Sequence, residues 1–539
     1  MVNMDINKND DRKETKLKTL AVVLFAAYFI LGLFLFDDYG CGPDEGMERQ
    51  TSLVNYRYVL EKLNLPVDER NAVWMEYLPN LKEYRDRYYG TALHLPLVLI
   101  EAAFHFTLEP SQFYGMRHFY TFLNFFLGSI CFYRLLSKRF GSRLWGLLGA
   151  GMLVLTPRFF AESFYNNKDV IFTAWYIITT CCMVRWFEKK DLKWMVLLAG
   201  ALALSCNTRF NAIVFLPVFA LVFICEAFVN RKRQPARWLN FILVFALFLI
   251  FFYIITPNFW EDPFGTLIET LQFNMHHPNH GSDGNLFKGE LVDAAKTLTF
   301  IPTWMAITIP TVFLLFSLLG TLGWLFRSGK DVLHGRFEAI VPADVIFFIS
   351  GFAAAGYIIL RHVTIYNGWR HCYFCYPCIL FFAVYGLASL KKPILRKVCV
   401  GLVGLAMLYN AGWIAANHPF EYVYFAPLFR SSASDFSGDY WGVSSRALLE
   451  YIVDSDPERM LLINHAHSQA GSINRGLLPE EQRKYVELTY DEDDTPDYYI
   501  VCRDDVSSTD LDRDAYEKVY AITVDGDEIG AVYKRKDTN

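Results

Sequence analysis

Two adjacent carboxylates, Asp44 and Glu45, stand in the stretch GPDEG at residues 42–46. The stretch follows the first apolar run of the chain, residues 17–36, so the pair is expected close to a membrane surface. In such a pair, one carboxylate can take a proton from an acceptor hydroxyl or amine while the other orients the acceptor or holds a metal ion. The flanking glycines and the proline permit a tight turn that aims the pair inward. A solvated turn without catalytic function is the alternative interpretation.

A third acidic residue, Asp169, opens the fourth predicted span in the sequence YNNKDV, beside Lys168. The first four spans are expected to be neighbours, so this loop and the loop that holds GPDEG can line one cavity. Carboxylates from both loops are therefore expected to share one site.

Several cations are expected at the same face of the membrane. Arg209 lies in SCNTRFNAI, between two spans with almost no loop, and Arg361 and Arg370 flank HVTIYNGW, with His371 next. Arginine at a membrane interface usually extends its head group toward water, which is the alternative reading. Positive residues are, however, disfavoured in short outer turns, so their presence favours a bound anion, most simply a phosphate.

Two further groups have side chains that can bind metals: His276, His277 and His280 in MHHPNHG, and Cys372, Cys375 and Cys378 in HCYFCYPC. Zinc is one interpretation of the histidines, but a proline interrupts them, and polar loop histidines that line a substrate groove are the favoured one. The cysteines stand at the start of an apolar helix and are expected to be small packing residues.

The elements that must position these residues are membrane helices. Hydrophobic residues make up 53% of the 539 residues, and apolar runs of about 20 residues recur, each long enough to cross about 30 Å of hydrocarbon. A soluble protein of this size would carry more charge and fewer long apolar runs. The runs predict about eleven spans: residues 17–36, 114–135, 144–163, 169–187, 193–207, 210–228, 238–256, 304–326, 343–361, 370–389 and 397–416.

The distribution of Lys and Arg sets the expected topology, because these residues concentrate on the cytoplasmic side. With eleven spans all six basic clusters of the membrane part fall on one side. If the apolar stretch 88–106 were a further span, the N-terminal cluster would lie opposite the other five. We therefore expect 88–106 to be a juxtamembrane or re-entrant helix, which also suits its proline, two histidines and glutamate.

The sequence thus predicts a cytosolic N-terminus (1–16), a transmembrane domain (17–416) with outer loops 37–113 and 257–303, and an extracytoplasmic region (417–539). That last region holds 25 acidic and 12 basic residues, whereas the whole chain has a net charge of −5, so the membrane part is net basic. Short apolar strands (MLLIN, DYYIVC, AVYKR) alternate there with helical stretches such as SSRALLEYI, which predicts a small α/β domain.

Five motifs in this order resemble the glycosyltransferase family 39-like membrane proteins of the GT-C fold: GPDEG, PRFFAESFYNNKDV, TIYNGWRHCYFCYP, NHPFEYVYFAPL and DYWGVSSRALLEYI. This group contains the protein O-mannosyltransferases and the lipid A aminoarabinose transferases. The resemblance runs from about residue 17 to about residue 450.

The resemblance implies an inverting transfer of a sugar from a polyprenyl or dolichyl phosphate to an acceptor on the non-cytosolic face. The acidic pair of the family matches Asp44 and Glu45, with Asp44 the better candidate for the base, and its second-loop acid matches Asp169. The arginine of the YxxxRH-type element matches Arg370, which is expected to hold the carrier phosphate. Three further candidates, Arg209, Lys168 and His371, are expected to bind the donor phosphate. Another three, His276, His277 and Glu162, are expected to line the substrate groove.

The expected partners are a polyprenyl-phosphate-linked sugar, membrane lipid and a glycan, glycolipid or protein acceptor, with no nucleic acid. The expected location is the plasma membrane. The sequence shows no clear metal-ligand set, and the family leaves Mg²⁺ or Mn²⁺ open as a cofactor. The alternative function is a transporter or a non-catalytic scaffold with an acidic partner-binding ectodomain. A transporter should carry ionisable residues mid-span and repeated halves, whereas here the charged residues gather at one rim.

Overall fold

The protein is represented by a computed structural model, and the structure describes residues 2–229, 237–275, 284–491, 494–503 and 511–536. The helices in these ranges are, in chain order, α1 (Val2–Leu35), α2 (Pro43–Lys62), α3 (Glu69–Met75), α4 (Leu95–Phe104), α5 (Pro110–Arg139), α6 (Arg143–Val154), α7 (Pro157–Tyr165), α8 (Asp169–Lys189), α9 (Leu192–Thr208), α10 (Phe215–Val229), α11 (Arg237–Ile255), α12 (Pro263–Met275), α13 (Phe300–Thr308), α14 (Thr311–Leu333), α15 (Pro342–Phe347), α16 (Ala354–Leu360), α17 (Tyr376–Ala388), α18 (Pro393–Asn417), α19 (Ser445–Ser455), α20 (Ser468–Leu477) and α21 (Glu480–Arg483).

Within the described ranges, nine helical segments are long and apolar enough to cross a membrane, judged by length and composition. They are Asp11–Leu35, Pro110–Arg139, Asp169–Lys189, Phe210–Val229, Trp238–Ile255, Thr311–Leu333, Pro342–Leu360, Arg370–Ala388 and Pro393–Asn417. Each corresponds to one of the eleven predicted spans. The predicted polytopic helical architecture is confirmed.

The other two predicted spans differ from simple crossings. The span predicted at 144–163 is α6 followed by α7, with a bend of 69° between them, because Pro157 at the break has no backbone N–H to continue α6. The span predicted at 193–207 is α9, whose 17 residues extend only about 26 Å. The stretch 88–106 contains α4, whose 10 residues reach only about 15 Å and cannot cross about 30 Å of hydrocarbon.

The C-terminal region forms the predicted small α/β domain. Its strands are β3 (Leu461–His465), β4 (Val486–Thr489), β5 (Tyr498–Cys502), β6 (Tyr516–Val524) and β7 (Asp527–Arg535), which follow a hairpin of β1 (Asn285–Phe287) and β2 (Glu290–Val292) in the preceding long loop. The sheet order is β4-β3-β5-β7-β6, with β3 parallel to β4 and β5 and with β5, β7 and β6 antiparallel. Helix α19 packs against β5 and β7.

This domain is docked on the segment that leads into α2. The backbone N–H of Cys41 donates to Asn474 Oδ1 at 2.8 Å, and Asn474 Nδ2 donates back to the Cys41 carbonyl at 2.9 Å. Arg446 Nη1 donates to the carbonyl of Tyr39 at 3.1 Å. Two helices of the C-terminal domain, α19 and α20, therefore hold the backbone immediately before Asp44.

Candidate active site

The stretch GPDEG begins a helix, which corrects the tight turn predicted from its glycines. Pro43 occupies the first turn of α2, where its missing N–H costs no hydrogen bond, and Asp44 and Glu45 follow at the positive end of the helix dipole. Gly42 has an extended backbone (φ −88°). Glycine at this position lets the backbone pack closely against Trp441, because a Cβ there would lie 2.9 Å from the ring of that residue.

Asp44 forms an ion pair with Arg370, the arginine that the sequence analysis assigns to the carrier phosphate. Its Oδ2 accepts a hydrogen bond from Arg370 Nη1 at 2.7 Å, and its side chain is 24% exposed. The buried guanidinium of Arg370 lies between two aromatic rings, 4.8 Å from the centroid of Tyr366 and 4.5 Å from that of Trp441. Stacking of this kind fixes the plane of the arginine, so Asp44 meets a preorganised cation.

Asp169 completes a line of alternating charges. Its Oδ2 lies 3.3 Å from the same Arg370 Nη1, and its Oδ1 accepts from Arg209 Nη2. The backbone N–H of Asp169 donates to Asn166 Oδ1 at 2.8 Å, which satisfies the first turn of α8. We refer to Asp44, Arg370, Asp169 and Arg209 as the ionic cluster. It brings together residues that are up to 326 positions apart.

Glu48 is a site residue that the sequence analysis missed. It lies one helical turn after Asp44, is almost completely buried, and pairs with Lys168. Lys168 Nζ also lies 3.7 Å from the centroid of Tyr89, and His94 Nε2 lies 3.9 Å from Glu48 Oε2. The spacing of four residues from Asp44, which places both side chains on one helix face, was the available signal.

Burial and charge act on the titrating groups around α2. Burial raises the pKa of Glu48, and Lys168 opposes that rise without cancelling it. Burial, reinforced by Arg117 and Lys168, lowers the pKa of His94 to about 3, so this imidazole is neutral near pH 7. For Asp44, burial favours the neutral acid, but Arg370, Lys168 and Arg209 together hold its pKa below the ordinary range. Asp44 is therefore ionised and able to accept a proton at neutral pH.

Two predicted residues lie near the ionic cluster but face away from it. Glu45 Oε1 accepts from the backbone N–H of Gly42 at 3.1 Å, and its carboxylate faces His118. Glu162 is fully buried on α7, where Oε1 accepts from the Tyr373 hydroxyl at 2.6 Å. Asn166 Nδ2 donates to Glu162 Oε2 at 2.7 Å and to Asp169 Oδ2 at 3.4 Å, so Asn166 links Glu162 to the ionic cluster.

The remaining predicted groups have these positions. His371 follows Arg370 and packs edge-on against Tyr366, with ring centroids 4.8 Å apart. His276, His277 and His280 lie outside the described residues. The three cysteines at 372, 375 and 378 are buried and unbridged among apolar side chains, in the packing position that was predicted for them.

Two cavities are lined by residues of the ionic cluster. The larger one, about 890 Å³, is lined by Asp44 and Arg370 and, across from them, by residues of the C-terminal domain that include His467, Gln469 and Tyr490. The smaller one, about 70 Å³, is a cleft lined by Lys168 and Arg209 together with Arg87 and Tyr89. We call them the large cavity and the cationic cleft.

Asp44 and Asp169 supply the oxygen ligands that Mg²⁺ or Mn²⁺ would need. The guanidinium of Arg370 already lies between the two carboxylates, at 2.7 Å from one and 3.3 Å from the other. The residues present do not fit a divalent cation at this position, because Arg370 supplies the positive charge there.

Part of the chain matches a family model. Residues 105–258 match the family model described as dolichyl-phosphate-mannose-protein mannosyltransferase. None of the curated proteins matches the chain.

Two solved structures of ArnT from Cupriavidus metallidurans are similar to the chain at 13% sequence identity. The structure bound to undecaprenyl phosphate has a TM-score of 0.45, with 95% of this chain and 98% of that chain covered. The apo structure has a TM-score of 0.48, with 96% and 98% covered. Residues 105–258, which hold Lys168, Asp169 and Arg209, are thus similar to the dolichyl-phosphate-mannose-protein mannosyltransferases, as the sequence motifs indicate.

Proposed function

We propose that the protein is an inverting GT-C glycosyltransferase that moves a sugar from a polyprenyl-phosphate donor to an acceptor. The observation that carries the proposal is the ionic cluster with its two cavities. An ionised, partly exposed Asp44 lines the large cavity, and two arginines and a lysine line the cationic cleft. The family match and the apolar helices support the same reaction class.

The donor phosphate is proposed to bind in and beside the cationic cleft. Lys168 and Arg209 are both mostly buried and are balanced by Glu48 and Asp169. When a phosphate enters the cleft, its oxygens replace these carboxylates as the partners of Lys168 and Arg209. The planar guanidinium of an arginine can bind two phosphate oxygens at once. Arg370 and His371 extend the basic surface toward the large cavity. These groups stabilise the negative charge that develops on the leaving phosphate, which is the interaction enzymes exploit most.

Asp44 is proposed as the general base for the acceptor. It takes the proton from the acceptor hydroxyl or amine, the acceptor oxygen or nitrogen forms the new bond to the anomeric carbon, and the bond from that carbon to the phosphate oxygen breaks. Attack from the face opposite the phosphate inverts the anomeric configuration. The carboxylate is ready for this role because Arg370 keeps it ionised.

Release of polyprenyl phosphate from a lipid-linked sugar tests this function directly. Purified protein in lipid is incubated with a panel of polyprenyl-phosphate sugars, with acceptor extracts from the cell envelope, and both products are quantified. The proposal expects the lipid phosphate to appear together with an inverted glycoside. If neither product appears with any donor of the panel, although thermal unfolding shows that the protein is folded, the proposed function is wrong.

The cationic cleft gives a prediction about donor affinity. Arg209→Lys loses the bidentate fork and Lys168→Met loses a charge, so each should raise the KM for the donor by about 10- to 100-fold, as expected for one or two lost charged hydrogen bonds. Steady-state kinetics at varied donor concentration measures this. Arg361, another cation predicted at this face, is exposed and is not among the residues that line the cleft, so Arg361→Lys is the matched control and should leave KM unchanged. Equal KM values for the parent and both cleft variants contradict the assignment.

The site is proposed to face the outside of the plasma membrane, as the basic clusters indicate. In protein without the exposed native Cys225, a cysteine at position 455 in the C-terminal domain should react with an impermeant maleimide in intact cells, and one at position 328 should not. If Ser328→Cys is labelled from outside in cells whose cytosolic proteins stay unlabelled, this orientation is wrong.

A further inference from the structure

A second cluster of chemically active side chains lies beside the first turn of α2, apart from the ionic cluster. It consists of Cys41, Glu45 and His118, whose ligand atoms all lie within 4.8 Å of one another. Cys41 Sγ is 3.5 Å from His118 Nε2, and the two oxygens of Glu45 are 3.3 and 3.1 Å from the same nitrogen. Each of the three residues is at most 1% exposed.

The separations between these ligand atoms are compatible with one shared metal ion. A tetrahedral zinc with bonds of about 2.3 Å to sulfur and about 2.0 Å to nitrogen and oxygen holds its ligand atoms about 3.3 to 3.6 Å apart. The observed distances from the imidazole nitrogen to the sulfur and to the carboxylate oxygens lie close to that range. Thiolate, imidazole and carboxylate are also the donor set that zinc accepts and that Mg²⁺ does not favour.

The imidazole is oriented for ligation. His118 Nδ1 lies 3.0 Å from the carbonyl oxygen of Phe36, so this nitrogen carries the proton and donates to the backbone. That arrangement leaves the lone pair of Nε2 directed at Cys41 and Glu45, as is usual for histidines that bind metals.

The carboxylate supplies an independent observation. Glu45 Oε1 already accepts from Gly42, but Oε2 is buried and makes no hydrogen bond, although it lies 3.1 Å from the imidazole. Among the described residues, no Lys or Arg lies within ion-pair distance of Glu45. A buried carboxylate without a cation or a full set of hydrogen bonds is costly, and a metal ion would remove that cost.

We propose that Cys41, Glu45 and His118 form a structural zinc site with one coordination position left for water. The ion would tie the segment after α1 to α5 and would fix the first turn of α2, in which Asp44 follows Pro43. The metal would be separate from the sugar-transfer chemistry, because its ligands are not among the residues that line the large cavity.

Metal analysis of the full-length protein in detergent tests the proposal without any activity assay. After expression with added Zn²⁺ and passage through buffer without metal, the parent should retain about one zinc per chain. Cys41→Ser and His118→Gln should lose most of it, and Cys206→Ser, which alters another buried cysteine, should keep it.

Two further measurements keep the test decisive if a variant folds poorly. Zn²⁺ added to chelator-treated parent should raise the thermal unfolding temperature, and Co²⁺ should give a thiolate-to-metal absorption band. Both responses should be absent in Cys41→Ser. A parent that binds no zinc and shows no Zn²⁺-dependent shift overturns the proposal and leaves a histidine–carboxylate ion pair. Equal zinc content in the parent and Cys41→Ser overturns it as well.

Discussion

Asp44→Asn is expected to lower sugar transfer by about 10²- to 10⁴-fold, the usual cost of losing a general base. Asparagine keeps the size and shape of the side chain, so the variant should fold and should still bind donor lipid. The measurement is turnover by purified protein in lipid, with folding followed by thermal unfolding.

Two other acidic residues calibrate the effect of Asp44→Asn. Glu45→Gln should cost less, because its carboxylate contacts Gly42 and His118 rather than the large cavity. Asp38→Asn is the matched control, since Asp38 stands on the same segment but pairs with His418 outside the ionic cluster. Near-parent turnover of Asp44→Asn would show that Asp44 is not the base and that its pairing with Arg370 is structural.

Arg370→Ala is expected to lower turnover by about 10²- to 10³-fold, comparable to the loss of one preorganised charge-stabilising group. It should also change the pH dependence. In the parent, burial favours the neutral acid and Arg370 is the main group that keeps the pKa of Asp44 low, so the base stays ionised into the acid range. Without Arg370 the pKa of Asp44 rises, and the acidic limb of the kcat/KM profile should move to higher pH.

Conservative replacement separates charge from geometry at this position. Arg370→Lys keeps a cation near Asp44 but loses the planar guanidinium that stacks on Tyr366 and Trp441, so the pH shift should be smaller while donor binding still weakens. The matched control is Arg361→Ala, an exposed arginine on the same connection. An acidic limb that stays at the parent pH in Arg370→Ala contradicts the role assigned to this ion pair.

The hydrophobic pattern was sufficient to predict most of the fold. Nine of the predicted spans are single helical segments of the right length, and the strands expected at MLLIN, DYYIVC and AVYKR belong to one sheet. The break at Pro157 could have been predicted, since proline removes a helix hydrogen bond. It was missed because the apolar run continues through the proline. The helix start at GPDEG also carried its signals, a proline in the first turn with acids beside it.

The site could be predicted only in part, because its contacts are non-local. The sequence indicated Asp44, Asp169, Arg209 and Arg370 separately, from their places at the ends of apolar runs. No periodicity connects Asp44 to an arginine 326 residues away, so their ion pair could not be inferred. The same holds for Glu45 and His118, which are 73 residues apart and meet only when the first turn of α2 comes next to α5.

The docking of the C-terminal domain on the backbone before Asp44 has a consequence for biosynthesis. The contacts of Arg446 with Tyr39 and of Asn474 with Cys41 join the first loop to residues made more than 400 positions later. A nascent chain inserts its early helices long before the ribosome reaches these partners. The contacts that the C-terminal domain makes with the segment before Asp44 therefore form only late in translation, and a partly synthesised chain in the membrane lacks them.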